Sequence, residues 1–94
     1  MRDATIALCA EHHVRVCFAD LGDWGDAELR AEYDPDVPEI RINRRLSADL
    51  VDHAILHELY HHREAIGEIA VLRDRAAREE AADAYAAQLL EVLS

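Results

Sequence analysis

Two histidines stand four positions apart in this chain, with a glutamate directly after the first: His57-Glu58-Leu59-Tyr60-His61. On an α-helix, residues four apart lie about 40° from one another around the axis, so both imidazoles leave the same face. The neighbouring residues predict that helix independently. Val51, Ile55 and Leu59 recur at helical spacing and form an apolar stripe. Glu58 borders this stripe, and His57 and His61 flank it. Ser47 is a good N-cap, placing the helix over residues 48–64, and Gly67 marks its end. Two imidazoles on one helical face can share a metal ion, and the glutamate beside them can move a proton without serving as a ligand.

A catalytic zinc takes three protein ligands and keeps one position open. The last helix, expected over residues 76–93 from its alanine content, offers Glu79, Glu80 and Asp83. Its apolar side carries Ala82, Tyr85, Ala86, Leu89, Leu90 and Leu93. Glu79 and Asp83 fall at the edge of that side, whereas Glu80 turns towards solvent. This favours Glu79 as the third ligand, with Glu80 as the alternative. Asp83, one turn on, is placed to orient a ligand histidine. Two imidazoles and one carboxylate suit Zn²⁺ well. His53 and His57 form a competing pair, but no glutamate stands in the required place between them.

The first half of the chain reads as helix and then strands. Residues 3–13 show helical spacing, with Asp3 as a cap. Residues 14–21 alternate as a strand: Val14, Val16 and Phe18 face one way, Arg15 and Cys17 the other. Residues 22–26 form a turn with two glycines. Strands follow at 28–33 and 39–43, interrupted by Pro35 and Pro38, and their short connection predicts a hairpin. Residues 68–75 read as a loop with a helical turn. The expected fold is therefore α+β, a three-stranded antiparallel sheet with three helices in the order α-β-β-β-α-α.

Ninety-four residues suffice for one domain, spanning 1–94. A net charge of −10 repels phosphate, which argues against nucleic-acid binding and against docking on anionic membranes. No apolar run approaches a membrane span and no signal peptide is evident, so a cytoplasmic location is expected. Cys9 and Cys17 are expected to be reduced core thiols.

At this point the sequence resembles a minimal gluzincin, and most closely the ImmA/IrrE family of metallopeptidases. The resemblance rests on three stretches: His57-Glu58-Leu59-Tyr60-His61, then Glu79-Glu80-Ala81-Ala82-Asp83-Ala84-Tyr85-Ala86-Ala87-Gln88-Leu89-Leu90, and the earlier strand Ile40-Arg41-Ile42-Asn43. Together they span roughly residues 29–90. Tyr60 stands where the family usually has glycine, Ala81 replaces its second glutamate, and the Met-Pro that often follows the leucines is absent. The resemblance implies a zincin-like domain with Zn²⁺ on His57, His61 and Glu79, and with Glu58 as catalytic base.

The expected activity is hydrolysis of a peptide bond in a protein or peptide substrate, a regulatory protein such as a repressor by family analogy. Strand residues Ile40, Arg41, Ile42 and Asn43 are candidates to pair with extended substrate. Tyr60, His62 and Tyr85 are candidates to line the pocket or support an oxyanion. The rival reading is a metal-stabilised binding module without turnover.

Overall fold

A computed structural model of the chain describes residues 2–21, 23–24, 27–28 and 30–93. Helix α1 (Arg2–Glu11) leads into strand β1 (Arg15–Ala19). A short antiparallel ribbon follows, β2 (Asp23–Trp24) with β3 (Ala27–Glu28). Then come β4 (Ala31–Asp34), β5 (Glu39–Asn43), α2 (Ala48–Ala65) and α3 (Arg75–Leu93). Of the expected turn at 22–26, Gly22, Gly25 and Asp26 lie outside the described residues, as does Leu29 of the expected second strand.

The main sheet has the order β1-β5-β4. The expected hairpin is present, with β4 antiparallel to β5 and Asp34 opposite Glu39. The sheet is nevertheless mixed rather than wholly antiparallel, because β1 runs parallel to β5, with Val16 opposite Ile40 and Phe18 opposite Ile42. The physical reason lies in burial. Strand β5 carries Ile40 and Ile42, both fully buried, whereas every residue of β4 keeps part of its surface. The most apolar strand takes the centre, paired on both sides, and β4 takes an edge.

Helices α1 and α2 pack on one face of this sheet, and α3 packs on α2. The core joins Ile40 and Ile42 to Val51, Ile55, Leu56 and Leu59 of α2, with Cys9 and Val14 from the first α-β unit. The opposite face carries an ion network. The Arg41 guanidinium donates to Glu32 at 2.6 Å, Arg15 donates to Glu39 at 2.9 Å, and the Cys17 thiol donates to Glu39 at 2.8 Å. Cys17 is thus half-buried on the polar face and not in the core, while Cys9 is wholly buried; both are free thiols. No helix among the described residues is long and apolar enough to cross a membrane.

Two tight caps fix the ends of α1 and α2. At the first, Val14 N–H donates to the Cys9 carbonyl and His13 N–H to that of Ala10. At the second, Glu68 N–H donates to the Arg63 carbonyl and Gly67 N–H to that of Glu64. Both are Schellman closures, which need a left-handed residue just past the helix. Gly67 (φ 84°) fills that place without strain, but His13 (φ 60°) does not. Helix α3 is capped by Asp74, whose side chain accepts from Ala76 N–H and whose carbonyl accepts from Arg78 N–H.

His13→Gly should therefore raise unfolding stability by about 1 kcal/mol and Gly67→Ala should lower it by a similar amount, read from urea midpoints. Burial pushes the Cys9 thiol up to about 12. An unfolded thiol ionises near ~8.5. The folded-state pKa lies above the unfolded one, so this contribution to stability is complete below about pH 8.5 and declines as pH rises from there. Alkylation at pH 8 followed by mass spectrometry should modify Cys9 only in denaturant. Modification of Cys9 in the native protein at a rate like that of Cys17 would contradict the buried core.

Candidate metal centre

The site forms where α3 crosses α2. Helix α2 buries Ile55 and Leu59 towards the sheet, which leaves His57 and His61 facing α3 with their side chains 18% and 14% exposed. Helix α3 buries Ala82 and Ala86 completely. Such small side chains permit close helix approach, and Glu79 and Asp83 then project onto the two imidazoles. Glu79 bridges them: one carboxylate oxygen lies 2.9 Å from His57 Nε2 and the other 3.2 Å from His61 Nε2. Candidate ligand atoms of His57, His61 and Glu79 all fall within 4.8 Å of one another.

The other ring nitrogens are also held. His57 Nδ1 meets Asp83 at 2.7 Å, and His61 Nδ1 meets Glu64 at 2.7 Å. Donation of each Nδ1–H to a carboxylate turns the Nε2 lone pair of a neutral imidazole towards Glu79. Two lone pairs and a carboxylate facing one another repel unless a positive charge sits among them, either ring protons or a cation. The donor set, two imidazole nitrogens and a carboxylate, fits a divalent metal such as zinc. Glu79 is half-exposed, so the spot is open on one side. Glu80 is exposed elsewhere on α3 and is not part of this group.

Glu64 and Arg78 were not legible as site residues. Glu64 is buried on α2 and takes two hydrogen bonds from the Arg78 guanidinium, at 3.1 and 3.2 Å. Burial works against the Glu64 charge, but Arg78 and His61 outweigh it and hold the carboxyl below its ordinary range. The i,i+3 spacing of His61 and Glu64 was the available signal. Arg78 had none, since its partner lies on another helix.

Glu58 stands between two depressions and lines both. One is bordered by Arg30, Ala31, His53, His57 and Asp83, the other by Tyr33, His61, Arg75, Arg78 and Glu79. Burial raises the Glu58 carboxyl above its ordinary range; His57 and His61 pull the other way, and Glu79 adds to the rise. A partly dry carboxyl next to two imidazoles is suited to accepting and returning a proton.

The remaining expected site residues fall as follows. Tyr60 is buried, with its ring 5.5 Å from that of Tyr85 and 5.8 Å from that of His61. The Tyr85 hydroxyl accepts from Arg63 at 3.1 Å. His62 is 1% exposed and both its nitrogens are engaged, Nδ1 by the Tyr33 hydroxyl and Nε2 by the His12 carbonyl, each at 2.7 Å. It therefore ties α2 to β4 and to the end of α1 and has no free nitrogen for an oxyanion. Ile40, Arg41, Ile42 and Asn43 cannot pair with substrate, because β5 is the central strand and both its edges are occupied. The edge strand beside the site is β4, whose Ala31 and Tyr33 border the two depressions.

A family model described as the IrrE N-terminal-like domain, Peptidase_M78, matches residues 9–90. The chain belongs to this family. No curated protein and no solved structure matches it. The match runs from the buried end of α1 to the last turns of α3, so it contains every residue of the histidine-carboxylate cluster. The M78 family is metallopeptidase-like and generally metal-dependent, in keeping with a donor set that can hold a divalent ion.

Titration with a divalent cation against a competing chelator should report about one site per chain. Glu79→Ala should abolish it, while Asp83→Asn and Glu64→Gln should each weaken it by about 10–100-fold through loss of the hydrogen bond to a ligand ring. Glu80→Ala should leave affinity unchanged.

Proposed function

We propose that this chain is a zinc-dependent metallopeptidase that hydrolyses a peptide bond in a protein or peptide substrate. The observation that carries the reading is the double clamp on the histidines. Each Nδ1 is fixed by a separate carboxylate, Asp83 or Glu64, and each Nε2 converges on Glu79. His57, His61 and Glu79 would hold the ion. When bound, zinc supplies a Lewis acid that acidifies water and polarises a carbonyl.

The chain's own residues would do the rest. An extended substrate adds to the free edge of β4, which delivers its backbone past Glu58. Glu58 takes a proton from the attacking water and returns it to the leaving amine. Burial raises its carboxyl above the ordinary range, which makes the carboxylate a stronger base than an exposed one. Asp83 and Glu64 keep the imidazoles in one tautomer throughout.

A second reading is supported by the Arg78-Glu64-His61 chain, which couples the site to the α2–α3 packing as a structural metal site would be coupled. In that reading the protein is a metal-stabilised binding module without turnover. Glu58→Gln separates the two. Zinc content by mass spectrometry should stay at about one per chain, and hydrolysis of a quenched fluorescent peptide library should fall by at least about 100-fold. Wild-type protein loaded with zinc but inert towards the whole library would sink the peptidase reading in favour of the module.

A further inference from the structure

The chain has 20 acidic residues against 10 basic ones, so a guanidinium without a carboxylate partner is conspicuous. Arg15, Arg41, Arg45, Arg63 and Arg78 all pair with carboxylates, and Arg44 donates to the Phe18 carbonyl. Among the described residues, the guanidiniums of Arg30, Arg73 and Arg75 have no hydrogen-bond or ion-pair partner. Two of these three border the site. Arg30 lines the depression with His53, His57 and Asp83, Arg75 lines the one with Tyr33, His61 and Glu79, and Glu58 stands between them. Besides Glu58, which lines both walls, the acidic groups there are engaged: Glu79 with both histidines and Asp83 with His57. Arg78 is committed to Glu64. An exposed guanidinium that makes no ion pair therefore stands in each depression, and the two depressions meet at Glu58 as one groove.

We propose that the groove selects an extended peptide with an acidic side chain on each side of the bond presented to Glu58, one meeting Arg30 and the other Arg75. This rests on the reading of the site as a peptide groove and names its substrate class. Overall charge works against it, since a chain of net charge −10 repels acidic peptides at long range. At about 0.15 M salt that repulsion is screened beyond about 8 Å, whereas the two contacts are short. Strand β4 runs from the Arg30 end of the groove to the Tyr33 end. A peptide adding antiparallel to it places its earlier acidic residue at Arg75 and its later one at Arg30.

The test uses zinc-loaded Glu58→Gln protein, which isolates binding from turnover. Four fluorescent decapeptides of one alanine-rich sequence would carry Glu/Glu, Glu/Lys, Lys/Glu or Lys/Lys around the central bond. Anisotropy at 0.15 M salt should show Glu/Glu binding about 10-fold more tightly than Lys/Lys. Arg75→Glu should reverse the preference at the earlier position alone and Arg30→Glu at the later one alone. A swap of these two positions would retain the proposal with a parallel strand. Arg73→Glu makes the same change in net charge away from the groove and should alter neither preference.

Equal binding of the four peptides, binding of none, or an Arg73→Glu effect equal to the others would overturn the proposal. The underlying peptidase reading is judged separately by cleavage of the same peptides with wild-type protein. Charge-selective binding without cleavage removes the enzyme and keeps the acidic selectivity; cleavage indifferent to charge does the reverse.

Discussion

The close approach of α3 to α2 is the constraint on which the rest depends. Glu79 and Asp83 can reach His57 and His61 only because Ala82 and Ala86, one turn apart, are fully buried at the contact. A larger side chain at either place would push the helices apart, and overpacking of this kind commonly costs about 1–3 kcal/mol. The more telling consequence would be chemical. Glu79 touches both Nε2 atoms at hydrogen-bond distance, so a shift of one ångström would leave it unable to bridge them. Packing and ligand geometry are thus set by the same two alanines.

The C-terminal half of α2 is fixed in turn by buried polar contacts. His62 is bonded to Tyr33 on β4 and to the His12 carbonyl just past α1, so the helix carrying His61 cannot rotate without breaking both bonds. Glu64 secures the same turn to α3 through Arg78. Among the described residues no buried side-chain nitrogen or oxygen lacks a partner. A polar network satisfied in this way specifies one arrangement, which matters when a small core supplies limited packing.

Much of this was legible in the sequence, for local reasons. The alternation of Ile40 and Ile42 set β5 at 39–43, and the stripe Val51-Ile55-Leu59 set α2 close to its observed 48–65. The helix-edge positions of Glu79 and Asp83 brought the right carboxylates to the histidines, because a periodicity of 3.6 residues translates directly into direction. Strand order was not legible. Period-two alternation says which face of β5 is buried but not which strands flank it, and the central place went to β5 only when both its edges were paired. The substrate strand was misassigned to Ile40–Asn43 for the same reason. Arg78 and Tyr33 escaped notice because their partners, Glu64 and His62, lie on other elements.

Tyr60 shows how one departure from a motif can be absorbed. The family usually has glycine there, and a ring next to His61 would crowd the sheet if it pointed that way. Instead it turns towards α3 and meets Tyr85, whose hydroxyl is held by Arg63, itself bound to Glu68 in the loop after α2. Two tyrosines and an arginine thus join α2 to α3 beside His61. A glycine at position 60 would remove the ring that Tyr85 packs against and leave a cavity between α2 and α3.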